Sequence, residues 1–378
     1  MPVNSSKTVT NQRVNKNAPR PEQQSDAPED SAKQSRTATS RTRVSRAHTG
    51  RVQAAPVAAT ATIDKRPDWQ HDRDLPVAGT RPHRSATAGD VVLAYLRQQA
   101  HVLRTLEPAV RTDEYDAVHQ MRVGTRRLRA TLRSFGQVVP RSETAHLAAE
   151  LKWLGQLLGT ARDDEVLPAH LRESLRPVPV ELVIGPVQAR VQGHFAPRRA
   201  AGHAQVTEAL DSPRFAELMA ELDLLTAGPL TGPKAADRAR DVLPAAVRKA
   251  YKQADRRMRR ARHTPAGPDR DVALHQARKS ARRARYAAEA ASLVAGKPAR
   301  RFARQMKQVQ SVLGEHQDAV LARHAARDLG IGAHLAGENA FTYGLMHEHE
   351  RQRAEKLQAT ARQTWKKASR PRRLRWLS

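Results

Sequence analysis

From about residue 85 onward, apolar residues recur at intervals of three and four, and nowhere alternate as in a half-buried strand. Val91, Tyr95, Leu96, Val102, Leu103 and Leu106 predict a first helix, capped by Ser85 or Thr87 and ended by Pro108. A second helix, opened by Asp113 and closed by Pro140, carries Val118, Met121, Leu128, Leu132 and Phe135 on one side. A third starts at Ser142, near Glu143, and runs past Arg172 to the break at Pro177 and Pro179. Helical spacing resumes through Val187, Val191 and Phe195, then from Ala204 through Leu210, Phe215, Leu222 and Leu225. TAGPLTGP, residues 226–233, cannot continue a helix and reads as a linker. Beyond it the pattern predicts helices near 236–262, 269–293, 298–329 and 333–367, so the whole reads as all-α.

The second helix has an unusual polar side. At about 100° per residue, His119, Arg122, Arg126, Arg129 and Arg133 share an arc of roughly 80°, next to the apolar arc. No acidic residue occurs between Ala117 and Ser142. Solvated Arg-rich faces ordinarily interleave acids at i, i+4, so uncompensated repulsion on this scale points to an external polyanion. Arg127 lies about 80° off His119 and reads as supporting or solvent-facing, as does Arg283 relative to His275.

The chain contains this ladder twice. At an offset of 156 residues, His275, Arg278, Arg282 and Arg285 match His119, Arg122, Arg126 and Arg129, while Lys279 and Tyr286 extend the polar side. Glu289 stands where the first copy has Arg133. Downstream, Lys152, Leu158–Gly159 and Asp163 match Lys307, Leu313–Gly314 and Asp318. Two paired segments in register imply a tandem duplication with an internal pseudo-two-fold. Gly159 and Gly314, in mid-helix, suggest close helix approach, and Asp163 and Asp318 read as holding a ladder arginine or a helix turn.

The pattern H-x-x-R-[VK]-x-x-R-R-x-R, followed by K-x-x-x-x-x-L-G-x-x-x-D and duplicated, closely resembles the CHAD domain family (conserved histidine α-helical domain). The resemblance covers roughly residues 87–364. It implies two pseudo-symmetric four-helix bundles whose basic faces line a shared channel that binds inorganic polyphosphate. Ala284, where the family prefers Leu, and Glu289 depart from the pattern and would weaken the second half of such a site while leaving its core intact.

Composition agrees with an anionic partner. Over 378 residues, 66 Lys and Arg against 38 Asp and Glu leave a formal charge of +28. Residues 1–84, rich in Ser, Thr, Gln and Pro, read as a disordered extension of net +7, leaving +21 for the folded region. The folded domain is expected over 85–367, with repeats at about 85–226 and 234–367, and a basic tail over 368–378. The chain contains no cysteine, the first thirty residues hold no apolar run, and no apolar run approaches a membrane span. A cytoplasmic protein associated with polyphosphate granules is the expectation.

Polyphosphate offers charge and oxygen geometry but no bases. Arginine forks suit it, and lysine adds a compact point charge, so the candidate site is the two ladders with Lys279, Lys152 and Lys307. His119 and His275 read either as packed imidazoles or as donors whose protonation a bound polyanion would favour. The stripe Arg248, Lys252, Arg256 and Arg259 is interrupted by Asp255 and reads as a solvated face. His347 and His349, about 200° apart on a helix, cannot clamp one metal ion together. No Walker loop, zincin motif or G-x-S-x-G is present, so neither catalysis nor a cofactor is expected. The competing readings are a non-specific nucleic-acid or nucleoid binder, and a scaffold whose channel takes phosphorylated metabolites or anionic headgroups. Single-strand binders normally stack bases on aromatics, and only Tyr286 lies close to a ladder.

Overall fold

A computed structural model of the chain describes residues 85–377; the basic extension expected over 1–84 lies outside the described residues. No strand occurs among the described residues, and the fold is all-α. Helix α1 (Ala88–Arg111) opens on a reciprocal cap: the Thr87 hydroxyl accepts from the Asp90 N–H at 3.1 Å, and the Asp90 carboxylate accepts from the Thr87 N–H at 3.0 Å. Pro108 does not end this helix. Buried Val110 draws the chain on for another turn, and Arg111 is held by Glu107 and by the Leu210 carbonyl at 3.0 Å. Helix α2 (Ala117–Ser134) starts later than expected, because Asp113 and Asp116 both take left-handed backbone conformations and shape the turn before it.

Helix α3 (Arg141–Leu175) follows a tight corner. Helix α4 (Val187–Asp211) runs on through Pro197, and α5 (Pro213–Ala227) is a separate helix. The apolar run across residues 204–225 is therefore interrupted, at Ser212, whose hydroxyl accepts from the Phe215 N–H and starts α5 with proline in its first turn. Helix α6 (Ala239–His263) begins the second half. Helix α7 (Pro268–Leu335) is bent into two arms by Gly296, at φ 60° and ψ −132°, a conformation open to glycine. Helix α8 (Phe341–Ala368) begins eight residues after the expected start at 333, because α7 continues through Gly330 and Gly332. The turn comes instead at Gly337, at φ 74°, where the Glu338 N–H reaches back to the Ala333 carbonyl at 2.9 Å.

The order α1, α2, α3, α4 is repeated by α6, the two arms of α7, and α8. Helices α1 and α6 are tied at their starts: the Ala88 and Gly89 N–H groups donate to the carbonyls of Asp237 and Ala235 at 2.7 and 2.8 Å. One apolar core runs through both halves, joining Tyr95, Leu103 and Met121 to Ala281, Phe302 and Met306. A smaller core joins Leu171, Val191 and Phe195 to Leu329, Tyr343 and Met346. The basic C-terminal segment is docked rather than extended as a tail. Short helix α9 (Pro371–Leu374) and a closing turn lay Trp376 edge-on against Phe302 at 5.7 Å and bury Leu377.

Candidate functional site

Helix α2 turns Met121, Leu128 and Leu132 into the core, which fixes the direction of its arginines. The Arg122 guanidinium lies across Gly159 of α3; a Cβ at that glycine would come 3.4 Å from Nη2. Its Nη1 is 3.7 Å from the Asp163 carboxylate. The second half repeats the arrangement: Arg278 lies across Gly314, where a Cβ would come 3.3 Å from Nη2. The duplicated L-G dipeptides are thus the floor under a duplicated arginine, which explains why each basic helix is followed by a glycine on the next helical segment.

Neither of these two arginines, both expected in the site, is in the lining of the neighbouring cavity of about 810 Å³. Helix α2 contributes Arg126, Arg129 and Arg133, and the first arm of α7 contributes Lys279, Arg282 and Arg283. Arg141 and Lys152 of α3 and Arg257 of α6 complete a set of nine cationic side chains, with no carboxylate among the lining residues. Neutral donors and acceptors, among them Gln156, Gln276 and Ser280, fill the spaces between them.

The electrostatics carry the mark of unneutralised charge. Burial and then Arg126 hold Arg282 well below the ordinary arginine range, with Arg278 and Arg122 adding to the effect. Burial and Arg133 lower Arg129, and burial, Arg282 and Arg278 lower Lys279. Arg283 is pushed down to about 10 by burial and by Arg133, Arg141 and Arg257. The Nε donors of Arg126 and Arg278 are buried without a hydrogen-bond partner among the described residues. Like charges drawn together and partly removed from water oppose folding, and a ligand that supplies anionic oxygens relieves them.

The remaining expected residues are placed differently. His119 is buried, and His275 is partly buried and pushed down to about 4 by burial, Lys279 and Arg278; neither lines the cavity. Lys307 also lies outside the lining. Arg285 corrects the expectation for the second ladder. It is 1% exposed, its Nε donates to Glu289 at 2.7 Å, and it faces the core. Arg127 shares that carboxylate from the other half, at 3.1 Å, and is buried rather than solvent-facing. Arg283, Arg141 and Arg257 are lining residues that the ladder reading missed. Arg283 belongs to the repeated motif, and its presence there was the available signal; Arg141 and Arg257 come from other helices and left none.

The CHAD domain model matches residues 94–327. Two uncharacterized proteins of Mycobacterium tuberculosis, from the CDC 1551 / Oshkosh and H37Rv strains, are 36% identical over 281 residues, covering 74% of this chain and 53% of theirs. The chain therefore spans about half the length of the curated relatives it matches. Among solved structures, the CHAD domain from the plant Ricinus communis superposes with a TM-score of 0.56 at 27% identity, covering 74% of this chain and 92% of that one. PptA from Streptomyces chartreusis shares the fold with a TM-score of 0.63 at 22% identity, covering 75% of this chain and all of its own.

Proposed function

The chain belongs to the CHAD domain family, and we propose that it binds inorganic polyphosphate in the cavity between α2, α3, α6 and the first arm of α7. The observation that carries this reading is the lining itself, nine cations and no carboxylate. Guanidiniums at helical spacing offer paired N–H donors about 5–6 Å apart, a spacing that a flexible chain of phosphates can follow. The proposed role is binding rather than turnover. The polar side chains of the lining are cations and neutral amides or hydroxyls, a donor set suited to holding anionic oxygens. Recruitment to polyphosphate granules would follow from such binding.

Nucleic acid is the competing polyanion. Tyr286 is the one aromatic residue in the lining, and it is 0% exposed and unavailable as a stacking platform for bases. The deciding measurement compares long-chain polyphosphate with duplex DNA at matched phosphate concentration and about 150 mM salt, where non-specific DNA binding is weakened. The expected result is a strong preference for polyphosphate that Arg126→Ala with Arg282→Ala removes. Equal affinity for both polymers, or a preference untouched by that double substitution, would refute the reading.

A further inference from the structure

A second cavity, of about 500 Å³, adjoins the first and shares Arg133, Arg141, Gln253 and Arg283 with it. Its walls are the corner between α2 and α3, the linker that joins the two halves, and the start of α6. The linker is fastened to the corner by backbone: the Gly232 N–H donates to the Val138 carbonyl at 3.1 Å, and the Lys234 N–H to the Gln137 carbonyl at 2.9 Å. A Cβ at Gly232 would strike the Val138 carbonyl, so only glycine lets the linker lie this close. Lys234 is thereby fixed at the rim, facing the same space as Lys249 of α6.

The passage between the two cavities is built from ordered cations. Arg141 folds across Gly136, where a Cβ would come 3.1 Å from its Nε. Arg283 donates from Nη2 to the Gln253 side-chain oxygen, which orients the guanidinium at the junction. Beyond it the balance of charge changes. Lys234 and Lys249 face Asp237 and Asp241, both exposed, whereas the first cavity has no acid in its lining.

We propose that this second cavity is an extension subsite for a phosphate chain that overruns the ladder: the chain passes between Arg133, Arg141 and Arg283, is met by Lys234 and Lys249, and is stopped by Asp237 and Asp241. The inference rests on the polyphosphate reading of the first cavity and adds a selectivity to it. Short chains fit within the ladder alone, and long chains gain the extra contacts. Lysine suits this end, since a compact charge on a flexible stem can follow a mobile chain terminus.

The test measures affinity for tripolyphosphate and for long-chain polyphosphate side by side. Lys234→Ala with Lys249→Ala is expected to weaken long-chain binding about three- to tenfold and to leave tripolyphosphate unchanged. Asp237→Asn with Asp241→Asn is expected to tighten long-chain binding alone. A control of equal charge on the outer face of α6, Arg256→Ala with Arg260→Ala, should leave the ratio of the two affinities at its starting value. A lysine variant that weakens both ligands equally, or neither, overturns the inference, and so does a control that matches it. Failure of the underlying reading looks different: Arg126→Ala with Arg282→Ala would then leave both affinities intact.

Discussion

Arg127 and Glu289 are joined across the two halves, Nε to carboxylate at 3.1 Å, with Arg127 only 3% exposed. The 156-residue offset relates this pair to Arg283 and Arg133, and there the same geometry sets two cations against each other, Arg133 being the foremost charge depressing Arg283. One exchange of charge, glutamate for arginine, closes the pseudo-symmetric contact on one side and leaves an electropositive opening on the other. The cavity lies on the Arg133 side. Glu289 also accepts from Arg285 Nε at 2.7 Å and from the Tyr95 hydroxyl at 3.4 Å, so a single carboxylate ties α1, α2 and α7 together.

Glu289→Gln should therefore destabilise the fold while leaving the cavity lining in place. Removing the charge takes from two buried guanidiniums the carboxylate they share, and breaking a buried ion pair from one side typically costs about 3–5 kcal/mol. Urea unfolding should show a lower midpoint at unchanged slope. A midpoint within experimental error of the parent would mean that the carboxylate does not anchor the three helices it touches.

Ladder substitutions should do the opposite. Arg126→Ala with Arg282→Ala removes two mutually repelling cations, one of which burial already disfavours. Thermal stability without ligand should hold or rise, whereas affinity for polyphosphate should fall by roughly 10- to 100-fold for each charge-assisted hydrogen bond removed. A parallel fall in stability and affinity would indicate that these side chains hold the fold rather than the ligand.

The contrast between Arg285 and Arg283 shows where sequence reading stops. Helical spacing identified the basic helices, their duplication and the core faces of Met121, Leu128 and Leu132, because those depend on one helix alone. Which arginine faces the cavity depends on the partner helix. Position 289 carries an acid in one repeat, and that acid captured Arg285 and Arg127, while Arg283, off the main arc, was left to face Arg133. Arg141 and Arg257 join the site only through the packing of α3 and α6 against the basic helices. Pro108, inside α1, shows the same limit, since tertiary burial of Val110 decided it, whereas the break at Ser212 rests on a local Ser-Pro cap that the sequence itself carries.

His275 makes the stability and the binding depend on pH in opposite directions. Its folded-state value of about 4 lies below the ordinary imidazole value, so between these limits the unfolded chain binds more protons than the native one. Its contribution to stability is full above about pH 6.5 and is lost as pH falls toward 4. A bound polyanion offsets Lys279 and Arg278, raises the imidazole value and makes binding proton-coupled. Affinity should climb as pH drops through this window, with proton uptake visible by calorimetry in buffers of different ionisation enthalpy. His275→Gln should flatten the binding profile and reduce the slope of the stability profile, where His194 and His347, also lowered by burial, still contribute; a binding slope that survives the substitution would move the effect to another group.

Gly159 and Gly314 separate helix propensity from site geometry. Alanine is favoured over glycine in a helix interior by about 1 kcal/mol, so on propensity alone Gly314→Ala should stabilise α7. The new Cβ would stand 3.3 Å from the Arg278 guanidinium, which ends a flexible side chain and can yield by a few tenths of an ångström. Stability should thus be unchanged or slightly raised, with a modest drop in polyphosphate affinity as Arg278 shifts relative to Arg282. Gly314→Leu leaves no such accommodation and should expel the guanidinium, lowering affinity as far as Arg278→Ala does. If instead both glycine variants bind as the parent does, the contact of Arg278 with the helix floor has no part in the field that Arg278 sets at the lining residue Arg282.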